Sequence, residues 1–304
     1  MSDFKKYEGV IPAFYACYDD QGEISPERVR ALVEYFIAKG VQGLYVNGSS
    51  GECIYQSVAD RKLILEEVMA VAKGKLTIIA HVACNNTKDS VELARHAEGL
   101  GVDAIAAIPP IYFHLPPYGI ADYWNDISAA APNTDFIIYN IPQLAGVALT
   151  MPLLKEMRKN PRVIGVKNSS AATQDIQMWK DEGGADFVVM NGPDEQFVSG
   201  LAMGATGGIG GTYAVMPELF IKARKLFYDG KVKDAYLVQN EICRIIYKIC
   251  EAHGNLYAVQ KSILARKGIL CGGVRKPLPA LIESDLPIVN EAAAMIDAAI
   301  EKYC

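Results

Sequence analysis

A lysine closes one of the apolar runs of this chain. In Val163-Ile164-Gly165-Val166-Lys167 the amine stands where a buried strand would reach its end. An amine held out of water is disfavoured as an ammonium, and its free lone pair attacks carbonyl carbon to give a Schiff base. Position alone serves equally a lysine that pairs with a carboxylate at a strand end. Tyr139 closes the preceding run, Phe136-Ile137-Ile138-Tyr139, where a phenol can pass a proton to or from a reacting centre. With 16 tyrosines in the chain, a core or interface role is the other reading. A third candidate is Gly48-Ser49-Ser50-Gly51-Glu52, whose glycines permit tight turns and whose amides and hydroxyls can bind a carboxylate. Glu52 suits bracing that loop as well as touching a ligand.

For these groups to meet, strand ends must converge. GVIPAFYAC (9–17) has strand character, and Ser25-Pro26 then supplies an N-cap and first-turn proline before the helical spacing of Val29, Leu32, Val33, Phe36 and Ile37, which Gly40 closes. VQGLYV (41–46), a helix opened by the capping box Ser57-x-x-Asp60, LTIIAHV (76–82) and DAIAAI (103–108) repeat the scheme. DFIIYN (135–140), RVIGVK (162–167), DFVVM (186–190) and ATGGIG (205–210) complete the strands. Eight apolar strands alternating with amphipathic helices predict an α/β protein, a (β/α)8 TIM barrel over residues 1–230. An open doubly wound sheet is the alternative, but no G-x-G-x-x-G follows the first strand. Residues 231–304 predict a C-terminal helical extension, in which Cys243, Ile246, Ile249 and Cys250 recur at helical spacing as a packing stripe.

In such a barrel the active site lies at the C-terminal strand ends. These ends carry Asn47 to Glu52, Pro109-Pro110-Ile111-Tyr112, Tyr139-Asn140-Ile141-Pro142, Lys167, Asn191-Gly192-Pro193-Asp194-Glu195 and Gly210-Gly211-Thr212-Tyr213. Composition agrees with a water-facing globular enzyme: 51% hydrophobic, 21% charged and a net charge of −5 without a basic block, which disfavours nucleic acid as a partner. The start MSDFKKYEGV lacks a signal core and no run is long enough to span a membrane, so a cytoplasmic location is expected. The 7 cysteines show no C-x-x-C spacing and are expected to be buried thiols; the 4 histidines show no ligand spacing, so no metal is expected.

Taken together, GSSGE, YNIP with Gly146, GVKNS, NGPDEQF and the later VRKPL resemble the N-acetylneuraminate lyase and dihydrodipicolinate synthase superfamily of pyruvate-dependent class I aldolases, from about residue 8 to 285. The resemblance implies Lys167 as the Schiff-base lysine, Tyr139 as its proton-transfer partner, and a relay of Ser50 with a Tyr112 supplied by a neighbouring subunit. It also implies a homotetramer, with no metal or organic cofactor. Gln143-Leu144-Ala145 lacks the arginine with which the synthases hold their second substrate, whereas Tyr139 to Val147 is similar to the YNIPxLxGV of sialic acid lyases. On that branch Ser49, Ser50 and Ile141 would hold the keto acid, while Ser169, Gly192, Asp194, Glu195, Gly210, Gly211 and Tyr257 would line the sugar end, with Tyr257 at its distal limit. The implied activity is reversible cleavage of N-acetylneuraminate to N-acetylmannosamine and pyruvate. Pro193 and Gly211 depart from the bacterial pattern, which has an aromatic residue and a serine there. Another 2-keto-3-deoxy sugar acid, dihydrodipicolinate synthesis, and a non-catalytic keto-acid sensor are the competing readings.

Overall fold

Apolar runs bounded by turn residues form the strands, and the amphipathic stretches between them form helices. In the computed structural model, which describes residues 4–304, the strands are β1 (Gly9–Pro12), β2 (Gly43–Val46), β3 (Thr77–His81), β4 (Ala104–Ala107), β5 (Asp135–Asn140), β6 (Val163–Asn168), β7 (Val188–Asn191) and β8 (Gly207–Gly210). β2 to β8 pair in parallel in sequence order, and β8 pairs in parallel with β1. The β1–β2 seam is closed by the Gln42 amide on Val10 O (3.0 Å) and the Phe14 amide on Tyr45 O (2.9 Å). Met1 to Asp3, the start of the segment read for a signal core, lie outside the described residues.

The helices between strands are α1 (Pro26–Ala38), α2 (Val58–Ala72), α3 (Thr87–Leu100), α4 (Pro117–Ala129), α5 (Pro142–Ala145), α6 (Met151–Met157), α7 (Thr173–Gly183) and α8 (Phe197–Ala202), and α9 (Pro217–Tyr228) follows β8. The start signals act as their chemistry requires. Ser25 accepts from the Arg28 amide at the start of α1, and Ser57 and Asp60 form the reciprocal capping box of α2. The extension consists of α10 (Val232–Ile249), α11 (Leu256–Arg266) and α12 (Leu286–Tyr303).

Strand alternation divides the apolar side chains into two sets. Ile11, Ile79, Ile137, Ile164, Val188 and Ile209 fill the barrel, while Leu44, Phe136 and Val166 point outward onto Leu32, Ile64 and the other helix residues. Tyr7 closes the floor, its hydroxyl 2.7 Å from Asp103 O and 2.9 Å from Asp135 Oδ2. Burying each large aliphatic side chain contributes roughly 1.5–3 kcal/mol, which gives the rim a rigid base.

Three sequence expectations need correction. On α10 the buried face is Ala235, Val238, Ile242, Ile245, Ile246 and Ile249; Cys250 is exposed and Cys243 only partly covered. The stripe through Cys243 and Cys250 lies about 100° round the helix from the stripe through Ile242 and Ile249. The thiols are not uniformly buried either: Cys17 and Cys271 are, but Cys250 and Cys304 are exposed, and all seven are free. β1 also stops at Pro12, short of the nine-residue run, because beyond Phe14 the chain leaves the sheet to pack under the extension.

Candidate active site

Parallel pairing of β5 with β6 sets Tyr139 directly beside Lys167. Both side chains point into the barrel mouth, and both residues are buried, Lys167 at 4% exposure. The Lys167 Nζ lies 3.9 Å from the Tyr139 ring centre and 4.2 Å from that of Tyr45, an inward residue of β2. Lys167 takes part in no ion pair among the described residues. The pairing role left open by its position is therefore not the one observed. Two aromatic faces beside the nitrogen can stabilise the positive charge of an iminium formed there.

His81, at the end of β3, completes an aromatic wall, with its ring 6.0 Å from Tyr139 and 6.1 Å from Tyr45. Its Nδ1 lies 2.9 Å from Asn47 O, which makes Nδ1 the protonated nitrogen. Burial, with the Arg61 charge beside it, drives its pKa well below the usual histidine range, so the ring is neutral. Arg61 joins the ends of β2 and β3: its guanidinium donates to His81 O (2.6 Å) and Ala83 O (2.8 Å), and its own carbonyl accepts from Asn47 Nδ2 (2.8 Å).

The Ser49–Gly51 turn is held at both ends by non-glycine residues in the left-handed region, Asn47 (φ 61°) and Glu52 (φ 57°). Such backbone persists only when its surroundings fix it. Glu52 is fixed by Lys261 Nζ of α11 (2.7 Å), the Tyr18 hydroxyl (3.0 Å) and the Arg275 amide (2.7 Å). The open question about Glu52 is thus answered: it braces the loop. Ser50 is buried and Ser49 lines a cavity of about 690 Å³ together with Cys53, Arg61, Asn85, Ile141 and Tyr257. That volume is typical of small-molecule sites.

Beyond β7, Asp194 is buried, and its Oδ2 accepts from the Thr212 amide (2.8 Å) and hydroxyl (2.5 Å). Its Oδ1 has no hydrogen-bond partner among the described residues. Burial outweighs the Thr212 bonds and pushes this carboxyl up to about 7. Gly210 is required beside it, because a Cβ there would overlap Asp194 Oδ1. Gly192 likewise abuts Ser169 Oγ, placing the β6 and β7 ends in contact.

The remaining predicted site residues are spread around the rim. Glu195 is exposed, and its carbonyl accepts from Cys243 Sγ at 3.4 Å. Tyr257 sits on the rim close to Gly211, on the same side as Ser50. A side chain at 211 would point at Ser50 Oγ, 3.0 Å away. Tyr112 is 85% exposed with φ 83° and is not part of the wall around Lys167 within one chain. Sequence reasoning missed Tyr45, His81, Arg61 and Lys261. An inward parity in GLYV and LTIIAHV was the available signal for the first two; nothing local marks the others.

The Dihydrodipicolinate synthetase family model matches residues 6–296. The chain belongs to this family. Within it, the chain is 67% identical over 304 residues to the N-acetylneuraminate lyase of Mediterraneibacter gnavus, covering 100% of this chain and 96% of that protein. It is 34% identical to the N-acetylneuraminate lyase of Citrobacter koseri over 96% of this chain and 98% of the other. Among solved structures, a catalytic lysine mutant of Ruminococcus gnavus sialic acid aldolase superposes with a TM-score of 0.99 at 66% identity, covering 100% of both chains. Among the described residues no helix is long and apolar enough to cross a membrane, and no group of three or more His, Cys, Asp or Glu is arranged to hold a metal ion.

Proposed function

We propose that this protein is an N-acetylneuraminate lyase, cleaving the open-chain sugar acid to N-acetylmannosamine and pyruvate through a Schiff base on Lys167. The observation that carries the reading is the Lys167 amine, buried without a carboxylate partner between the faces of Tyr45 and Tyr139. Full-length similarity to lyases of that name supports the substrate.

Nζ attacks the C2 ketone to form a carbinolamine. As its hydroxyl departs as water, Tyr139 supplies the proton and an iminium remains between the two rings. The resulting phenolate takes the proton of the C4 hydroxyl, the C3–C4 bond breaks, and its electron pair enters the iminium to leave an enamine. Protonation at C3 and addition of water at C2 then release pyruvate and restore the amine. The amides of Gly51 and Glu52 bond inside the loop, so Ser49 and Ser50, with Ile141 opposite, are left to hold the keto acid's carboxylate. Asp194 would accept from the sugar's hydroxyls through its free Oδ1, with Ser169 and Gly192 beside it. No metal or organic cofactor enters these steps, and the protein would act in the cytoplasm as a homotetramer.

Incubation with N-acetylneuraminate tests the assignment: pyruvate and N-acetylmannosamine should appear in equal amounts. Cleavage of other 2-keto-3-deoxy sugar acids with none of N-acetylneuraminate would refute the substrate while leaving the chemistry intact.

A further inference from the structure

Three of the rim motifs carry an asparagine whose amide the reaction does not use: Asn140 in YNIP, Asn168 in GVKNS and Asn191 in NGPDEQF. Parallel pairing sets Asn140 beside Asn168 and Asn168 beside Asn191, one register position beyond Tyr139, Lys167 and Met190. Alternation turns their side chains to the outer face of the sheet, the face of Ile138, Val166 and Val189, and all three are buried. An amide in that apolar layer costs about 1–3 kcal/mol for each group left unbonded. Asn140 Nδ2 donates to Asn168 Oδ1 (2.9 Å), which also accepts from the Ser170 amide (3.1 Å), while Asn140 Oδ1 accepts from the Leu149 amide (2.8 Å). Asn191 Nδ2 donates to Pro193 O (2.7 Å), and Gln196 Nε2 ties Asn191 Oδ1 (3.3 Å) to Ser170 O (3.0 Å). Of the three amides, only Asn168 Nδ2 lacks a partner among the described residues. Gly200 of α8 makes room for the row, since a Cβ there would lie 2.5 Å from Asn191 Oδ1. Where the backbone ladder reaches its end, at Ser169 N on Asn140 O (2.8 Å) and Gly192 N on Asn168 O (2.6 Å), these side chains carry the connection into the rim loops.

We propose that this asparagine row positions the reacting groups in two arms. The Asn140–Asn168 bond fixes the Tyr139 phenol against Lys167 Nζ, and the Asn191 bonds fix the loop that carries Asp194. The proposal rests on Lys167 as the Schiff-base lysine and on Asp194 at the sugar end. Each asparagine adjoins what it holds: Asn140 follows Tyr139, Asn168 follows Lys167, and Asn191 bonds the carbonyl of the residue before Asp194. All three face away from the barrel mouth, so they act through the backbone and are positioning residues. Tyr139 must reach the oxygen on the carbon that Nζ has bonded, which requires the ends of β5 and β6 to keep one spacing. A slip of either end turns one side chain relative to the other. Losses from the two arms should therefore separate by substrate half.

The test pairs two assays on each folded variant: the rate of Lys167 adduct formation with pyruvate and borohydride across pyruvate concentrations, and turnover of N-acetylneuraminate. Asn168→Leu, which keeps the volume and loses the amide, should slow the saturated adduct rate on the order of 10²-fold, the cost of a displacement near 1 Å. The pyruvate concentration at half-saturation should stay unchanged. Asn140→Leu should act similarly, and the double variant should lose little more, since one bond joins the two. If leucine prevents folding, Asn168→Ala removes the same amide. Asn191→Leu and Gly200→Ala should leave the adduct rate at the wild-type value and raise KM for N-acetylneuraminate several-fold. A wild-type adduct rate in the Asn168 variants overturns the proposal. Equal losses in both assays from both arms overturn it too, since they mark a general loss of structure. An unchanged KM in Asp194→Ala would refute the sugar-end reading of Asp194, and no adduct in the wild-type protein would refute the Lys167 reading, each distinct from a failure of the row.

Discussion

Replacing Lys261 by methionine removes one member of an ion pair in which both side chains have 0% exposure, at a separation of 2.7 Å. Methionine fills a similar volume, so the main change is electrostatic: Glu52 keeps the Tyr18 hydroxyl and the Arg275 amide but loses its counter-charge. An uncompensated buried charge costs about 3–5 kcal/mol. For 304 residues, an unfolding entropy of about 2.1 cal/mol/K per residue gives about 0.6 kcal/mol/K, so the melting temperature should fall by about 5–8 °C. Because Glu52 holds the Ser49–Gly51 turn from its left-handed position, turnover should fall too, on the order of 10²-fold for a displacement near 1 Å. Calorimetry and a pyruvate-release assay measure the two effects. Adding Glu52→Gln should restore most of the stability, since a neutral amide needs no counter-charge. A single variant melting within about 2 °C of wild type, or a double variant as unstable as the two single losses added together, would refute the brace.

Gly210→Ala should cost about 1–3 kcal/mol, seen as a lower melting temperature, and should raise KM for the sugar acid, because its Cβ overlaps Asp194 Oδ1. Asp194, whose pKa rises from 3.8 to about 7 on folding, binds its proton more tightly in the native state, so its contribution to stability is full below the lower value and lost as pH climbs to the higher. Over the same upper range the carboxyl becomes a pure acceptor, so KM for the sugar acid should fall as pH rises from 6 to about 8, and Asp194→Asn should flatten both trends in paired pH titrations. Ser57→Ala removes one half of the α2 capping box and should cost about 1 kcal/mol in a melt, with turnover unchanged.

The strands were legible because burial on both faces leaves long apolar runs, and DFIIYN forms β5 over its whole length. Lys167 and Tyr139 were legible for the same reason, each being the polar residue that ends such a run. What was not legible depends on register and on distance along the chain. Inward parity marks Tyr45 and His81 as lining the barrel, but which of its strands they face depends on the stagger that brings β2 and β3 opposite β6. Lys261 reaches Glu52 across 209 positions and is one of 30 Lys and Arg residues. Tyr257 and Gly211 were singled out from family motifs, and the fold places them close together on the Ser50 side of the rim. Glu195 shows the converse: a motif carboxylate whose side chain the fold leaves exposed.

The Lys167 Schiff base is tested most directly by incubating the protein with pyruvate, reducing with borohydride and mapping the adduct by mass spectrometry. A single reduced pyruvyl group on Lys167, absent from Lys167→Ala, is the predicted result. An unmodified Lys167, or an adduct on another lysine, would contradict the account.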